Sequence, residues 1–445
     1  MSGLSLEKSG WQKSAINFAS AIAAAVTIKA FLLFVVIPYL TNTLPSGYEA
    51  DKFPDQYDLI AMNLLDGNGY KIYADTSETM LRTPGFVLIL AGIFSVFGHN
   101  LAATKAFNVL FSCATASLAY LLGRKVTKSH RLGLIAATVT LLHPAIMIAD
   151  SRAGVESVIL LAIMAFMLLF YRALETGALK NYLAAGLAFG VVLLIKPSAG
   201  LFPAFLFLYL LGMKPNFERL RCAAVSVGAL VLVAGTVLSP WIVRNYAISG
   251  RFVPTATLGG LAFFQGTYIV THFATGREHH ILLNEAAAEQ GVIAQQMGLK
   301  FKPGFFPLFY SISDEIKYYD HLGDIVKSRF VEQPSLLLDV IGFNSIGFWV
   351  QGRTAKATAL NTILVLPFLV LAIWGAYAGW RQSLMVGPIL LFIGAFYVPH
   401  LPTIGMARYH VPLIPLLAIL ACIPLRYVIG DVTGPLRKER DQPHS

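Results

Sequence analysis

Apolar runs of bilayer-crossing length recur along the whole chain, and that recurrence limits its fold more than any other feature. The sequence has 445 residues, 56% of them hydrophobic and 13% charged, where a soluble domain carries about 25% charged residues. Several runs approach the roughly 20 residues that cross a bilayer core as a helix. They are continuous and not alternating, which argues against a transmembrane β-barrel. The chain reads as an all-α polytopic membrane protein, a single integral membrane domain over residues 1–445.

The net charge of +10 would suggest nucleic acid in a soluble protein. Here the basic residues gather in short loops between apolar runs, where the positive-inside rule places them, so no nucleic-acid partner is implied. Cys113, Cys222 and Cys422 sit in or beside apolar segments, which disfavours a disulfide framework and gives no metal-type spacing. The first run, about Ile16 to Leu40, is too long for a signal-peptide core and reads as an uncleaved first helix.

Lys8 and Lys13 put the N-terminus in the cytoplasm and residues 41–82 outside. The run TPGFVLILAGIFSVFG is short for a span. If it only dips into the membrane, Leu101 to Leu122 crosses inward and the basic loop GRKVTKSHR, 123–131, is cytoplasmic. Further crossings fall near 132–149, 155–171, 182–195, 198–212, 222–241, 357–378, 383–399 and 410–428, with the short run 335–350 at the outer surface. The expectation is about ten spanning helices (roughly 8–13). A first extracytoplasmic loop (41–100) and a large one (242–356) carry juxtamembrane helices, and the tail 429–445 is cytoplasmic.

Within the first loop, PDQYDLIAMNLLDGNGY places Tyr57, Ile60, Ala61 and Leu64 at the i, i+3, i+4, i+7 spacing of a short amphipathic helix. Asp55 reads as its N-cap, Asp58 as a favourable first-turn charge, Gly67 as a stop and Asp66 as a solvated turn residue. Ionisable groups beside or inside membrane segments are costly and often functional. They are Lys29, Asp150, Arg152, Glu156, Lys196, Arg244 and Arg408. Four of them also have a structural reading: Glu156 and Arg152 could pair across one helical turn, and Lys196 and Arg244 could snorkel to the interface. Together they describe two carboxylates, Asp55 and Glu156, with cations suited to a phosphate-bearing lipid. His272, His279 and His280 lie near Glu278 without a metal-ligand motif, so a divalent metal is not supported and no cofactor is assigned.

Four passages, in order, resemble the GT-C superfamily of membrane glycosyltransferases, specifically the family 39 group of protein mannosyltransferases and aminoarabinose lipid A transferases. PDQYDLIAMNLLDGNGY resembles that group's first-loop motif, and LRTPGFVLIL its Arg-Pro-Pro-Gly segment, with Thr83 where proline is usual. SPWIVRNYAISGRFVP resembles its Pro-Trp-x-x-Arg-Asn passage, and ARYHVPLIPLLA its C-terminal Arg-Tyr-x-x-Pro passage. The resemblance spans about Asp55 to Leu417.

It implies a GT-C-like fold and transfer of a sugar from a polyprenyl-monophosphate donor to a lipid, glycan or protein acceptor on the outer face. Asp55 matches the acidic residue taken as catalytic base, and Glu156 a second acidic position. Arg82, Lys196, Arg244 and Arg408 match basic positions for the donor phosphate, and Tyr57, Tyr70, Arg152, Asn245 and Tyr409 fall where substrate contacts are expected. Gln56 replaces a glutamate of the protein mannosyltransferases, and Lys196 replaces a commoner arginine. The expected reaction is a single inverting displacement in which Glu156, if near, raises the pKa of Asp55. A flippase or transporter of a lipid-linked glycan, a non-catalytic assembly subunit, and a polymerase or ligase using a diphosphate-linked oligosaccharide are the competing readings. The compact size favours a bacterial inner membrane, with the active site facing the periplasm.

Overall fold

The structure is a computed structural model, described here over residues 26–36, 54–212, 217–304 and 306–429. Most of the expected first helix, the start of the first loop, the side chain of Cys222 and the tail from residue 430 lie outside the described residues.

Helices dominate. In chain order they begin with α1 (Val26–Val35), α2 (Tyr57–Leu65), α3 (Pro84–Phe97), α4 (Leu101–Thr127), α5 (His130–Leu142) and α6 (Pro144–Asp150). Next come α7 (Glu156–Thr176), α8 (Leu179–Ile195), α9 (Phe202–Gly212) and α10 (Phe217–Ser249). The large second loop holds α11 (Gly259–His272), α12 (His279–Gln296), α13 (Ile312–Glu332) and α14 (Ser335–Val350). The chain closes with α15 (Ala355–Arg381), α16 (Gly387–Tyr397) and α17 (Ile414–Cys422). Among the described residues the sheet is one two-stranded ribbon, Phe301–Lys302 against Leu308–Phe309.

Among the described residues, every expected crossing after the first coincides with helical segments. Five helices are long and apolar enough to cross alone, and a sixth if α5 and α6, bent by 48°, form one span. Helix α3, with 14 residues, measures about 21 Å against a hydrocarbon core of about 30 Å, so it is too short to cross upright. Helix α8, with 17 residues, is also short. The chain is a multi-pass helical membrane protein.

Small residues and aromatics assemble the bundle. A Cβ at Gly190 on α8 would lie 2.6 Å from Val237 on α10, a close crossing of the kind small residues permit in membranes. Phe166 gathers Phe189, Phe202 and Phe392 at ring separations of 5.0, 5.3 and 5.8 Å, joining α7, α8, α9 and α16. The Ala407–Tyr427 segment is central, 83% buried in its most apolar window, whereas α15 is 22% buried. Helix α15 turns Ile363, Val370 and Ile373 outward, an apolar face suited to lipid.

Two of the flagged intramembrane charges prove to be a closed structural unit. Lys29 Nζ lies 2.5 Å from Asp150 Oδ2, both side chains fully buried, and donates to the Leu141 carbonyl at 3.1 Å. Asp150 also accepts from Ser112 Oγ at 2.7 Å and Ser157 Oγ at 2.5 Å. Such saturation is what makes a charge pair tolerable in hydrocarbon.

Helix direction sorts charge to the two ends of the bundle. Helix α7 starts at Glu156 and α8 ends before Lys196, while Arg172 and Lys180 lie at their opposite ends. At that far end, Arg124 and Lys125 close α4, and Lys125 pairs with Glu175 at 2.6 Å.

Candidate active site

Asp55 is presented by unusual backbone. It and Gln56 are consecutive left-handed residues, at φ 68° and 61°, a conformation costing roughly 1–2 kcal/mol per non-glycine residue. Strain of this kind persists only where surrounding contacts fix it. The expectation that Asp55 caps α2 is therefore corrected: Gln56 holds the N-cap position, with no side-chain cap. Asp55 points instead to two guanidinium groups. Arg408 Nη2 donates to its Oδ2 at 3.0 Å and Oδ1 at 3.2 Å. Arg82 Nε donates to its carbonyl at 3.1 Å, with Nη2 3.5 Å from Oδ1.

The rest of α2 follows the expected pattern. Tyr57, Ile60 and Ala61 are buried and Asp66 is exposed. Gly67 ends the helix region with φ 76°. Asn63 Nδ2 donates to the Leu59, Lys71 and Ile72 carbonyls, fixing the turn that follows. Asp58 meets His99 Nε2 at 3.0 Å and so ties α2 to the α3–α4 corner.

Arg82 and Lys196 are brought together by the Arg-Thr-Pro-Gly segment. A Cβ at Gly85 would lie 2.8 Å from the Leu194 carbonyl, so glycine allows α3 to cross the end of α8. Thr83, standing where proline was expected, donates its hydroxyl to the Ile195 carbonyl at 3.1 Å. The opposite wall is set by Asn344 on α14, whose Nδ2 donates to the Leu401 and Thr403 carbonyls and whose Oδ1 accepts from Gly405 N.

These elements enclose a cavity of about 380 Å³ lined by Asp55, Tyr57, Arg82, Glu156, Lys196, Arg408 and Tyr409, among others. Three cations thus face two carboxylates, leaving a positive excess suited to an anion. Arg82 stacks over Tyr57 at 5.2 Å and Lys196 over Tyr409 at 4.9 Å, which holds both cations while leaving their polar faces available.

Burial pushes the Asp55 carboxyl up, but Arg408 and Arg82 outweigh it and hold the group well below the usual carboxylate range. Asp55 is therefore ionised in the resting site. This reverses the expectation that Glu156 raises it; the arginines are the decisive neighbours. Burial pushes the Lys196 ammonium down to about 8, against the upward pull of Glu156, so it stays largely charged at neutral pH.

Four expected site residues lie outside the cavity wall. Arg244 Nη1 donates to the Thr79 carbonyl at 2.8 Å and Nη2 to Glu78 at 3.1 Å, over the rings of Trp241 and Tyr70. Asn245 is fully buried, accepting from Arg244 and donating to the Val253 carbonyl. Tyr70 donates to the Arg82 carbonyl at 3.0 Å. These three brace the first loop from behind, where a phosphate in the cavity would not meet them. Arg152 is absent from the cavity lining, and its carbonyl accepts from Asn108 Nδ2 at 2.8 Å.

Ser198 and His400 also line the cavity, with Ser198 Oγ 3.5 Å from His400 Nε2. His400 Nδ1 donates to the Phe396 carbonyl at 2.9 Å, which leaves Nε2 as acceptor. Neither was singled out from the sequence; each lies just beyond the end of an apolar run. Among the described residues, no group of three His, Cys, Asp or Glu side chains is placed to hold a metal ion. His279 is buried and His280 Nδ1 contacts the Arg353 carbonyl.

Residues 81–243 match the family model for dolichyl-phosphate-mannose-protein mannosyltransferase. The structure is similar to the archaeal oligosaccharyltransferase AglB from Archaeoglobus fulgidus, solved with an inhibitory peptide and a dolichol-phosphate. The TM-score is 0.54 at 13% identity, covering 96% of this chain and 52% of AglB. This is the GT-C fold. The chain spans about half the length of that relative. ArnT from Cupriavidus metallidurans, solved bound to undecaprenyl phosphate, aligns over 96% of this chain and 81% of its own at 13% identity, with a TM-score of 0.39. No curated protein matches the chain in sequence.

Proposed function

We propose that this GT-C protein is an inverting glycosyltransferase that moves a sugar from a polyprenyl-monophosphate donor to a hydroxyl of a lipid, glycan or protein acceptor. The observation that carries this reading is the convergence of Asp55, Arg82, Lys196 and Arg408 on one cavity. Arg82, Lys196 and Arg408 bind the donor phosphate through charge-assisted contacts. The acceptor oxygen forms the new bond to the anomeric carbon as the bond to the phosphate oxygen breaks. The electron pair leaves on the polyprenyl phosphate, where the same cations stabilise it. The acceptor proton passes to Asp55, and Glu156 orients the acceptor.

Bound phosphate also solves the problem of a weakly basic Asp55. Its oxygens compete for the guanidiniums that hold the carboxylate and add a like charge nearby, and both effects raise the Asp55 pKa. Donor binding thereby arms the base. The cavity lies at the bundle end opposite Arg124, Lys125, Arg172 and Lys180. By the positive-inside rule that end faces the outside, the periplasm in a bacterial inner membrane.

The test is incubation of pure protein with a radiolabelled polyprenyl-phosphate sugar and a membrane extract. Label in a new covalent product, lost in Asp55→Asn, is the expected result. Label that merely crosses a vesicle wall would establish a flippase.

A further inference from the structure

Outside the cavity, one buried carboxyl holds two of its walls. Glu315, in the first turn of α13 and 3% exposed, accepts three hydrogen bonds. Met80 N donates to Oε1 at 3.1 Å, Thr257 Oγ1 to Oε1 at 3.1 Å, and Thr79 Oγ1 to Oε2 at 3.0 Å. The two segments so gathered also bond each other, Thr257 N to the Met80 carbonyl at 3.1 Å. Two residues beyond Met80 stands Arg82. Immediately flanking Thr257 are Ala256 and Leu258, which line the cavity.

We infer that Glu315 is a positioning residue for the phosphate site, holding the Thr79–Arg82 segment and the 255–259 wall together and loosening them when it ionises. The inference rests on the proposed function only for what the site binds.

Burial favours the protonated acid, while the three donors favour the carboxylate. A protonated Glu315 keeps Oε1 as acceptor for Met80 N and Thr257 and Oε2 as acceptor for Thr79 Oγ1, whose own oxygen accepts from Leu81 N at 3.1 Å. Among the described residues, an ionised Glu315 has no ion-pair partner of its own. The charged and titratable neighbours are Arg244 on α10, already paired with Glu78, and Tyr319 on α13. Burial accordingly raises Glu315 to about 7, against the opposing effect of its donors and Arg244. A folded pKa above the unfolded value means that the joint is firmest in acid. It weakens as pH rises through about 7.

Hydrogen exchange at Met80 and Leu81 reads the joint directly. After correction for intrinsic exchange, wild-type protection is expected to fall about tenfold between about pH 6 and about pH 8. Glu315→Gln, which mimics the protonated acid, is expected to stay protected throughout, and Glu315→Ala to lose about tenfold at both pH values. The same pH response in Glu315→Gln, or unchanged protection in Glu315→Ala, would overturn the inference. Binding of undecaprenyl phosphate then reads the site: wild type should weaken more with rising pH than Glu315→Gln, the difference removing the lipid's own titration. If wild type does not bind this lipid while exchange behaves as expected, the proposed function falls and the positioning role with it, though not the joint. Binding that weakens equally in both proteins overturns the inference alone.

Discussion

Two carboxylate–cation pairs occupy this protein and differ in what remains open around them. Asp150 and Lys29 are fully buried, and Asp150 is saturated by Ser112 and Ser157. Asp55 and Arg408 pair at 3.0 Å, but their side chains are 21% and 36% exposed beside a cavity, and Asp55 sits on left-handed backbone. The first pair locks α1 to the α6–α7 corner. The second leaves room for a ligand to compete. A membrane-embedded ion pair is thus read by its unfilled volume and its backbone strain, and its charges alone do not tell which kind it is.

The largest effect that sharpens this comparison falls on the closed pair. Lys29→Met strands the Asp150 carboxylate and is expected to destabilise the fold by about 3–5 kcal/mol, measured by thermal unfolding in detergent. Adding Asp150→Leu should recover most of that loss. A double variant no more stable than the single one would contradict the assignment of this pair as purely structural.

At the open pair the loss should appear in binding. On the proposed reading, Arg408→Ala and Arg82→Ala each remove a charge-assisted contact to phosphate and should weaken undecaprenyl phosphate binding by about 1.5–3 kcal/mol, with unfolding temperature little changed. Arg244→Ala should do the reverse, lowering stability by loosening Thr79 and Glu78 with a smaller effect on affinity. Isothermal titration on the three variants separates the two kinds of arginine.

That separation was only half legible in the sequence. Helix positions followed from apolar runs because hydrocarbon requires them, and the loop GRKVTKSHR gave an expected orientation for the bundle. Arg82 stood out only through the family resemblance, Asp55 as the acid that opens a juxtamembrane helix, and Glu156, Lys196 and Arg408 as charges beside membrane segments. Arg244 carried the same signal, since a sequence does not show that Trp241, Tyr70 and Glu78 already satisfy it. Nor does Pro-Asp-Gln announce two left-handed residues; any helix start with aspartate invites an N-cap reading. Ser198 and His400 were passed over because each is unremarkable until the fold places them 3.5 Å apart in the cavity.

A smaller effect follows from Lys196. Its ammonium, lowered to about 8 by burial, keeps its charge below that pH. Donor binding should weaken a few-fold as pH rises through about 8, and Lys196→Arg should remove that limb. For folding the sign is opposite: burying the charge costs stability below about 8, and the cost fades as pH rises from there toward the unfolded value. Glu315→Gln leaves this limb in place, which distinguishes it from the response near 7.

The central claim is that the cations bind the donor and Asp55 takes the proton. Binding and transfer measured side by side on Asp55→Asn test it most directly. Asparagine tolerates the left-handed backbone and frees both guanidiniums. The account predicts undecaprenyl phosphate bound at least as tightly as by wild type, with sugar transfer reduced by about 100-fold to 10,000-fold. Transfer at a near-normal rate by a variant that binds the lipid would contradict it.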